Sequence, residues 1–428
     1  MNLKKITAFL LCSLVALPFA GCKKELPPAT AGTASAAKSA STASVTLVPE
    51  SGAILRFRTS GSTDVEFSKA VAANFKKKYG VTVNVEEGNQ GENQKVVTEA
   101  QSGKGPDVLM LPHDKATECI KAGVFLQLDD SIVKELNSTI RPVALKSVTD
   151  NGKLYGVPVS MEAYVLFYNK KLVKTPVTTF EQMKKEAQSF NNPKKNKFYF
   201  LFDASTASPV YPMLSTYGFM PFGKDGTDAN NPGFNTTEFE KGLEVLKDYH
   251  NVVPIKSDDL GNTDFLRTRF EKGDAAYMMS GPWDVKTFRT AGVDLGAVPL
   301  PTYDGHTQKE FAFIQNAHVS AFTKYPKAAQ LFAASLVSSE SADLLYSKAA
   351  RITCRTDVSK VNGYANDDVL KTISKAFDQA VPAPSIKRMD YYWTISNDVC
   401  AAVFNGSMTP QNGAKTAQKD FEDYVKQE

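Results

Sequence analysis

Apolar residues along this chain follow two rhythms. From Ile54 to Arg58 they alternate with polar ones, which predicts a strand. Phe67, Val71, Phe75 and Tyr79 then recur every four residues and stop at Gly80, which predicts a helix ended by a glycine. Val81 to Val85 alternates again, and a second helical stretch runs from about Gln90 to Ser102. Val108 to Leu111 is an unbroken apolar strand behind the Gly105-Pro106 turn. Strand, helix, strand, helix, strand in that order predicts a mostly parallel sheet covered by helices. Farther on, Thr178 and Thr179 ahead of Glu181 and Gln182 form overlapping capping boxes. Thr237 with Glu240 forms another, ahead of Leu243 and Leu246. Residues 263–273 predict a helix leading into a strand at 275–280. The last third is predicted to be largely helical, over 326–337, 341–349, 367–379, 390–405 and 410–427. No internal repeat is visible.

The N-terminus breaks these rhythms. Lys4 and Lys5 precede an apolar run from Ile6 to Phe19, closed by Ala20, Gly21 and Cys22. A basic start, a short apolar stretch and two small residues before a cysteine predict a secretory signal, residues 1–22, with Cys22 lipidated. A plain cleaved signal predicts the same extracytoplasmic compartment. Residues 23–50 are mostly Ala, Ser, Thr and Pro, with few large apolar side chains. Such a segment cannot offset its ordering entropy and is expected to be a flexible linker. No other apolar run approaches membrane-spanning length. The remaining roughly 380 residues exceed one compact core and suit two lobes.

Composition removes whole classes of function. The formal net charge is +4, and two of those charges leave with Lys4 and Lys5. A near-neutral body lacks the clustered cations of a nucleic-acid footprint. Cys119, Cys354 and Cys400 are widely spaced, fit no zinc pattern, and are read as buried free thiols, with one disulfide left open. His113, His250, His306 and His318 are not within metal-ligand spacing of one another. There is no phosphate loop, nucleophile elbow or H-E-x-x-H. No cofactor, metal or catalytic residue is therefore assigned.

Three blocks carry the strongest signal. The first is GKGPDVLMLPHD at 103–114, followed by AGVFLQLD at 122–129. The second is NGKLYGVPVSMEA at 151–163, running on to LFYNK at 166–170. The third is FEKGDAAYMMSGPW at 270–283. In order and spacing they resemble the bacterial solute-binding proteins of ABC importers, of the maltose/maltodextrin-binding type, over essentially all the chain from residue 50. The residues agree with that resemblance. Asp114, Glu162 and Trp283 each fall just past a predicted strand, where ligands of open α/β sheets collect. Carboxylates accept strong hydrogen bonds from hydroxyls, and an indole face covers the apolar side of a sugar ring.

The resemblance implies a two-lobed α/β binding protein, each lobe a mixed sheet flanked by helices, with the ligand cleft between them. The lobes are expected at 50–160 with 309–358, and at 161–308 with 359–428. Positions matching Asp114, Glu162, Trp283 and Trp393 contact sugar in the family. The maltodextrin-binding members carry a cation at the position of Thr63, an aromatic at Leu111, and a cationic neighbour at Asn397. Their Glu-Pro-Tyr segment falls loosely on Thr206-Ala207-Ser208. These departures point to a saccharide other than maltose. Tyr211 and Tyr392 are candidate replacement surfaces, although such residues ordinarily pack in cores. The implied function is a monomeric, lipid-anchored protein that binds a saccharide by lobe closure and delivers it to ABC permease subunits, without chemistry of its own. An extracellular hydrolase or lyase using Asp114 and Glu162, or a sugar-sensing subunit, is the competing reading.

Overall fold

The computed structural model describes residues 47–88 and 93–428. The signal, Cys22 and the linker as far as residue 46 lie outside the described residues. In chain order the strands are β1 (Ile54–Arg58), β2 (Thr82–Glu86), β3 (Val108–Pro112), β4 (Thr149–Asp150), β5 (Lys153–Leu154), β6 (Val157–Glu162) and β7 (Val165–Asn169). They continue with β8 (Phe198–Leu201), β9 (Ala275–Ser280), β10 (Leu295–Val298), β11 (Phe311–Val319), β12 (Ile352–Thr353) and β13 (Val381–Pro382).

Two sheets organise the molecule, one for each lobe of an α/β fold. The larger runs β12-β6-β11-β3-β1-β2, with β13 added to β11. The smaller runs β10-β7-β9-β8. β3, β6 and β9 are buried along their whole length, which is why β3 reads as a continuous apolar run rather than an alternation. β1 pairs parallel with β2 and β3, as the strand-helix-strand order predicts. Beyond β3 the expectation of a mostly parallel sheet fails. β11 arrives from the far end of the second sheet and lies antiparallel to both β3 and β6. The pairing of β11 with β6 carries a register shift: Gln315 faces Ser160 while Asn316 faces Pro158, leaving Val159 bulged. Proline has no N–H to give a ladder, and a bulge is where a central strand tolerates one.

Local chemistry sets the helix ends. Helix Val65–Tyr79 closes on Gly80 at φ 74°, a conformation that favours glycine. Thr179 Oγ1 accepts from the Gln182 N–H at 3.2 Å, and the Gln182 side chain accepts from the Thr178 N–H at 3.0 Å, so the overlapping boxes are used jointly. The next expected cap is displaced by one residue. Thr236, not Thr237, accepts from the Phe239 N–H. Residues 341–349 divide into helix Ser339–Leu344 and a π-helical turn, Leu345–Ala349. Glu50, expected at the end of the linker, accepts from the Lys327 and Ala328 N–H groups at 2.9 Å each and so caps helix Pro326–Ser335. Those bonds hold its carboxyl below its ordinary range against the opposing effect of burial. Cys119, Cys354 and Cys400 are free and buried, as the sequence predicts. No helix among the described residues is long and apolar enough to cross a membrane.

Candidate functional site

A cavity of about 990 Å³ opens at the carboxyl ends of β3, β6 and β9. Six of the residues expected at the site line it: Thr63, Asp114, Glu162, Trp283, Trp393 and Asn397. Tyr211 and Tyr392 do not, and that expectation is corrected. Both are fully buried. Tyr211 stacks on Phe311 with ring centroids 3.6 Å apart, and its hydroxyl donates to the Phe219 carbonyl. Tyr392 lies parallel to Phe234 at 5.7 Å. On helix Met389–Phe404 a step of one residue turns the side chain by about 100°, so Trp393 reaches the cavity while Tyr392 enters the core.

Each lining group is held by local structure. Asp114 sits in the first turn of helix His113–Lys121, whose N-cap is Pro112, so Asp114 does not cap it. Its Oδ2 accepts from Trp393 Nε1 at 3.3 Å, and its buried Oδ1 has no partner. An orphaned carboxylate oxygen at a cavity wall is costly unless a ligand donor or water meets it. Trp283 belongs to a short 3-10 turn, Pro282–Asp284, directly after β9. Its indole meets the Tyr164 ring edge-on at 5.2 Å. Gly281 makes room for that indole, because a Cβ at 281 would lie 2.4 Å from its ring carbons. Asn397 Oδ1 accepts from the Ala207 N–H at 2.7 Å, which satisfies a free donor at the start of helix Ala207–Ser215.

A profile of the bacterial extracellular solute-binding proteins matches residues 70–372. The chain belongs to this family. It is 25% identical to the maltodextrin-binding protein MdxE of Bacillus subtilis, over 99% of this chain and 98% of that protein. It is 27% identical to the galactooligosaccharide-binding protein of the same organism over the same shares. A maltooligosaccharide ABC transporter solute-binding lipoprotein of Streptococcus pneumoniae is 28% identical over 84% of this chain and 85% of its own. Among solved structures, a cyclo/maltodextrin-binding protein complexed with maltotetraose superposes with a TM-score of 0.73 at 28% identity. That likeness covers 87% of this chain and 97% of the other.

In this solute-binding protein the floor of the cavity is a buried charge network that the sequence did not reveal. Arg351 donates to Glu162 Oε1, to Thr63 Oγ1 at 3.1 Å and to Asp64 Oδ2 at 3.4 Å. Gln315 Nε2 donates to Glu162 Oε2 at 3.1 Å. Burial pushes the Glu162 carboxyl above its ordinary range, with the Arg351 charge pulling it back. Burial also opposes the charge of Arg351, but Asp64, Glu162 and Asp284 outweigh it and raise its pKa. Opposite, Asp284 pairs with Arg267 at 2.7 Å and accepts from Ser280 at 2.5 Å. Burial raises its pKa as well, with Arg267 opposing. Among the lining residues that sequence reasoning missed are Tyr164, Asp284, Phe313, Gln315 and Arg351. Tyr164 stands two residues past Glu162, and Phe313 and Gln315 share one face of β11 by its period of two, so those carried a signal. Arg351 carried none. Among the described residues no cluster of His, Cys, Asp or Glu is placed to hold a metal ion.

Proposed function

We propose that this protein captures an oligosaccharide in the cavity and hands it to the membrane permease of an ABC importer. The single observation that carries the reading is the pairing of Asp114 and Trp393. A carboxylate with one oxygen unpartnered stands beside an indole, with a second indole, Trp283, on the same cavity wall set. Oriented acceptors beside aromatic faces suit a ligand that is hydroxyl-rich on its edges and apolar on its faces. The relatives that bind maltodextrin, maltooligosaccharide and galactooligosaccharide support the same ligand class. Each Glu162 oxygen accepts one hydrogen bond, from Arg351 and from Gln315, which holds the carboxylate in place as an acceptor at the cavity floor.

Capture proceeds by closure. The lobes are taken as 50–160 with 309–358 and 161–308 with 359–428. Sugar held by one recruits the other, and closure is favoured only by the extra affinity of the closed form. Lipidation of Cys22 keeps the protein at the membrane outside the cytoplasm, where it acts as a monomer. The test is a thermal-shift screen of the protein lacking residues 1–22, and so its lipid anchor, against maltodextrins, galactooligosaccharides, trehalose, sucrose and xylo-oligosaccharides. A binder specific for the native state raises the melting temperature. Absence of a shift with every saccharide, or release of reducing ends from any of them, overturns the reading.

A further inference from the structure

The chain reaches Arg351 by an unusual route. The π-helical turn Leu345–Ala349 widens the end of the preceding helix, and Ala350 then adopts φ 52°, a left-handed conformation that a residue with a Cβ adopts only under strain. π-turns and left-handed non-glycine residues concentrate at functional sites. Here they deliver a guanidinium that is almost wholly buried, with 3% of its side chain exposed, into the wall of the cavity.

We propose that Arg351 is the positioning residue of the ligand site: it clamps the Glu162 carboxylate at the cavity floor so that its remaining lone pairs accept from ligand hydroxyls. This rests on the saccharide reading of the cavity. The clamp joins three distant segments. Ser60 Oγ holds Asp64 Oδ2 at 2.8 Å, Asp64 and Thr63 receive one edge of the guanidinium, and Glu162 at the end of β6 receives the other. Gln315 closes the far side of Glu162 and leaves its own Oε1 buried without a partner. A carboxylate offers about four acceptor sites, so two bonds fix Glu162 and leave capacity toward the cavity. A lysine could supply the charge but not the two-edged fork.

The charge balance has a measurable consequence. Glu162 is poised by burial, which favours its neutral form, against Arg351, which favours its ionised form. Asp114 and Lys115 also line the cavity, from the helix after β3, with Asp264, Arg267 and Glu271 from helix Thr263–Glu271 and Asp284 after β9. Asp64 lies against Arg351, and Cys354 lies near Glu162. All of these are retained when Arg351 alone is replaced, so they set the baseline and not the difference. In Arg351→Met the acid limb of sugar binding moves to higher pH, because Glu162 loses the cation that keeps it ionised.

The experiment has an unliganded arm and a sugar arm, both on the protein lacking residues 1–22. In the first, carboxyl-carbon NMR follows the Glu162 titration, which should move up in pH in Arg351→Met and return in Arg351→Lys. In the second, calorimetry with the tightest saccharide of the screen should show Arg351→Met about tenfold or more weaker at pH 6, with the loss shrinking as pH rises. Arg351→Lys should restore the pH profile but not the full affinity. In a Glu162→Gln background, Arg351→Met should cost at most about threefold more, since the residue acts through Glu162. Additive losses, a pH-independent loss, or binding by Arg351→Met within about twofold of wild type overturns the proposal while leaving the saccharide reading intact. A Glu162 shift in the unliganded arm with no saccharide bound by wild type instead removes the saccharide reading, and this proposal with it. If Arg351→Met does not fold, the Glu162→Gln/Arg351→Met pair removes those two charges together and leaves Asp64, and an acid limb placed and shaped as in wild type overturns the proposal.

Discussion

Helix Met389–Phe404 shows two faces with opposite duties. One carries Tyr392, Ile395, Val399 and Val403 into the core. The other carries Trp393 and Asn397 to the cavity. Tyr392 and Trp393 are neighbours in the chain and similar in chemistry, yet one is fully buried among phenylalanines and the other meets Asp114. The carboxylates repeat the contrast. Glu162 faces the cavity with a guanidinium against it. Glu310 is buried elsewhere, and only its own backbone opposes the effect of burial. Helix phase and strand end, not residue type, separate the side chains that build the protein from those that meet its ligand.

Substitutions can break this contrast. Tyr392→Ala should cost about 3–5 kcal/mol in denaturant unfolding while the folded protein keeps its saccharide affinity. A large loss of affinity at unchanged stability would place Tyr392 with the ligand after all. Glu310 comes next. Burial pushes its carboxyl from 4.5 up to about 7. A raised folded-state value means that the stabilising contribution is full at acid pH and is lost as pH rises through about 7, a loss of about 3 kcal/mol at most. Glu310→Gln should flatten the fall in stability between pH 5 and pH 8, and an unchanged slope would show that Glu310 does not titrate there. Trp283→Ala should weaken saccharide binding about a hundredfold, with a melting temperature within a few degrees of wild type, because its indole is only partly buried. A collapse in the unliganded melting temperature would assign that ring to the core. Asp114→Asn should weaken binding about tenfold by calorimetry, since it removes a charge-assisted acceptor and keeps the shape.

How much was legible follows from the range over which each signal acts. The strands with period two, the helices with four-residue spacing and the glycine end at Gly80 are local, and they appear where the pattern puts them. Asp114, Glu162 and Trp283 were findable because strand ends can be read from apolar runs. Thr236 and Thr237 were not separable, since either hydroxyl can cap and the choice lies in the backbone. The antiparallel entry of β11 depends on a crossing from the other sheet, which no local pattern encodes. Arg351 was invisible for the same reason. Its partners at 64 and 162 lie 287 and 189 residues away, and its neighbours in the chain announce nothing. Tyr211 was misplaced because an aromatic near a motif looks the same whether it faces outward or inward.

The bulge at Val159 settles a parity. In the observed pairing Phe313 stands opposite Glu162, and both side chains line the cavity. Were the ladder regular from Pro158 onward, Met161 would stand opposite Phe313 and Glu162 would stand opposite Ala312. Ala312 lines a separate pocket with His113 and Ile314. A shift of one residue exchanges the two faces of a strand. One extra residue beside a proline therefore decides whether an oxyanion or a thioether greets whatever enters the cleft.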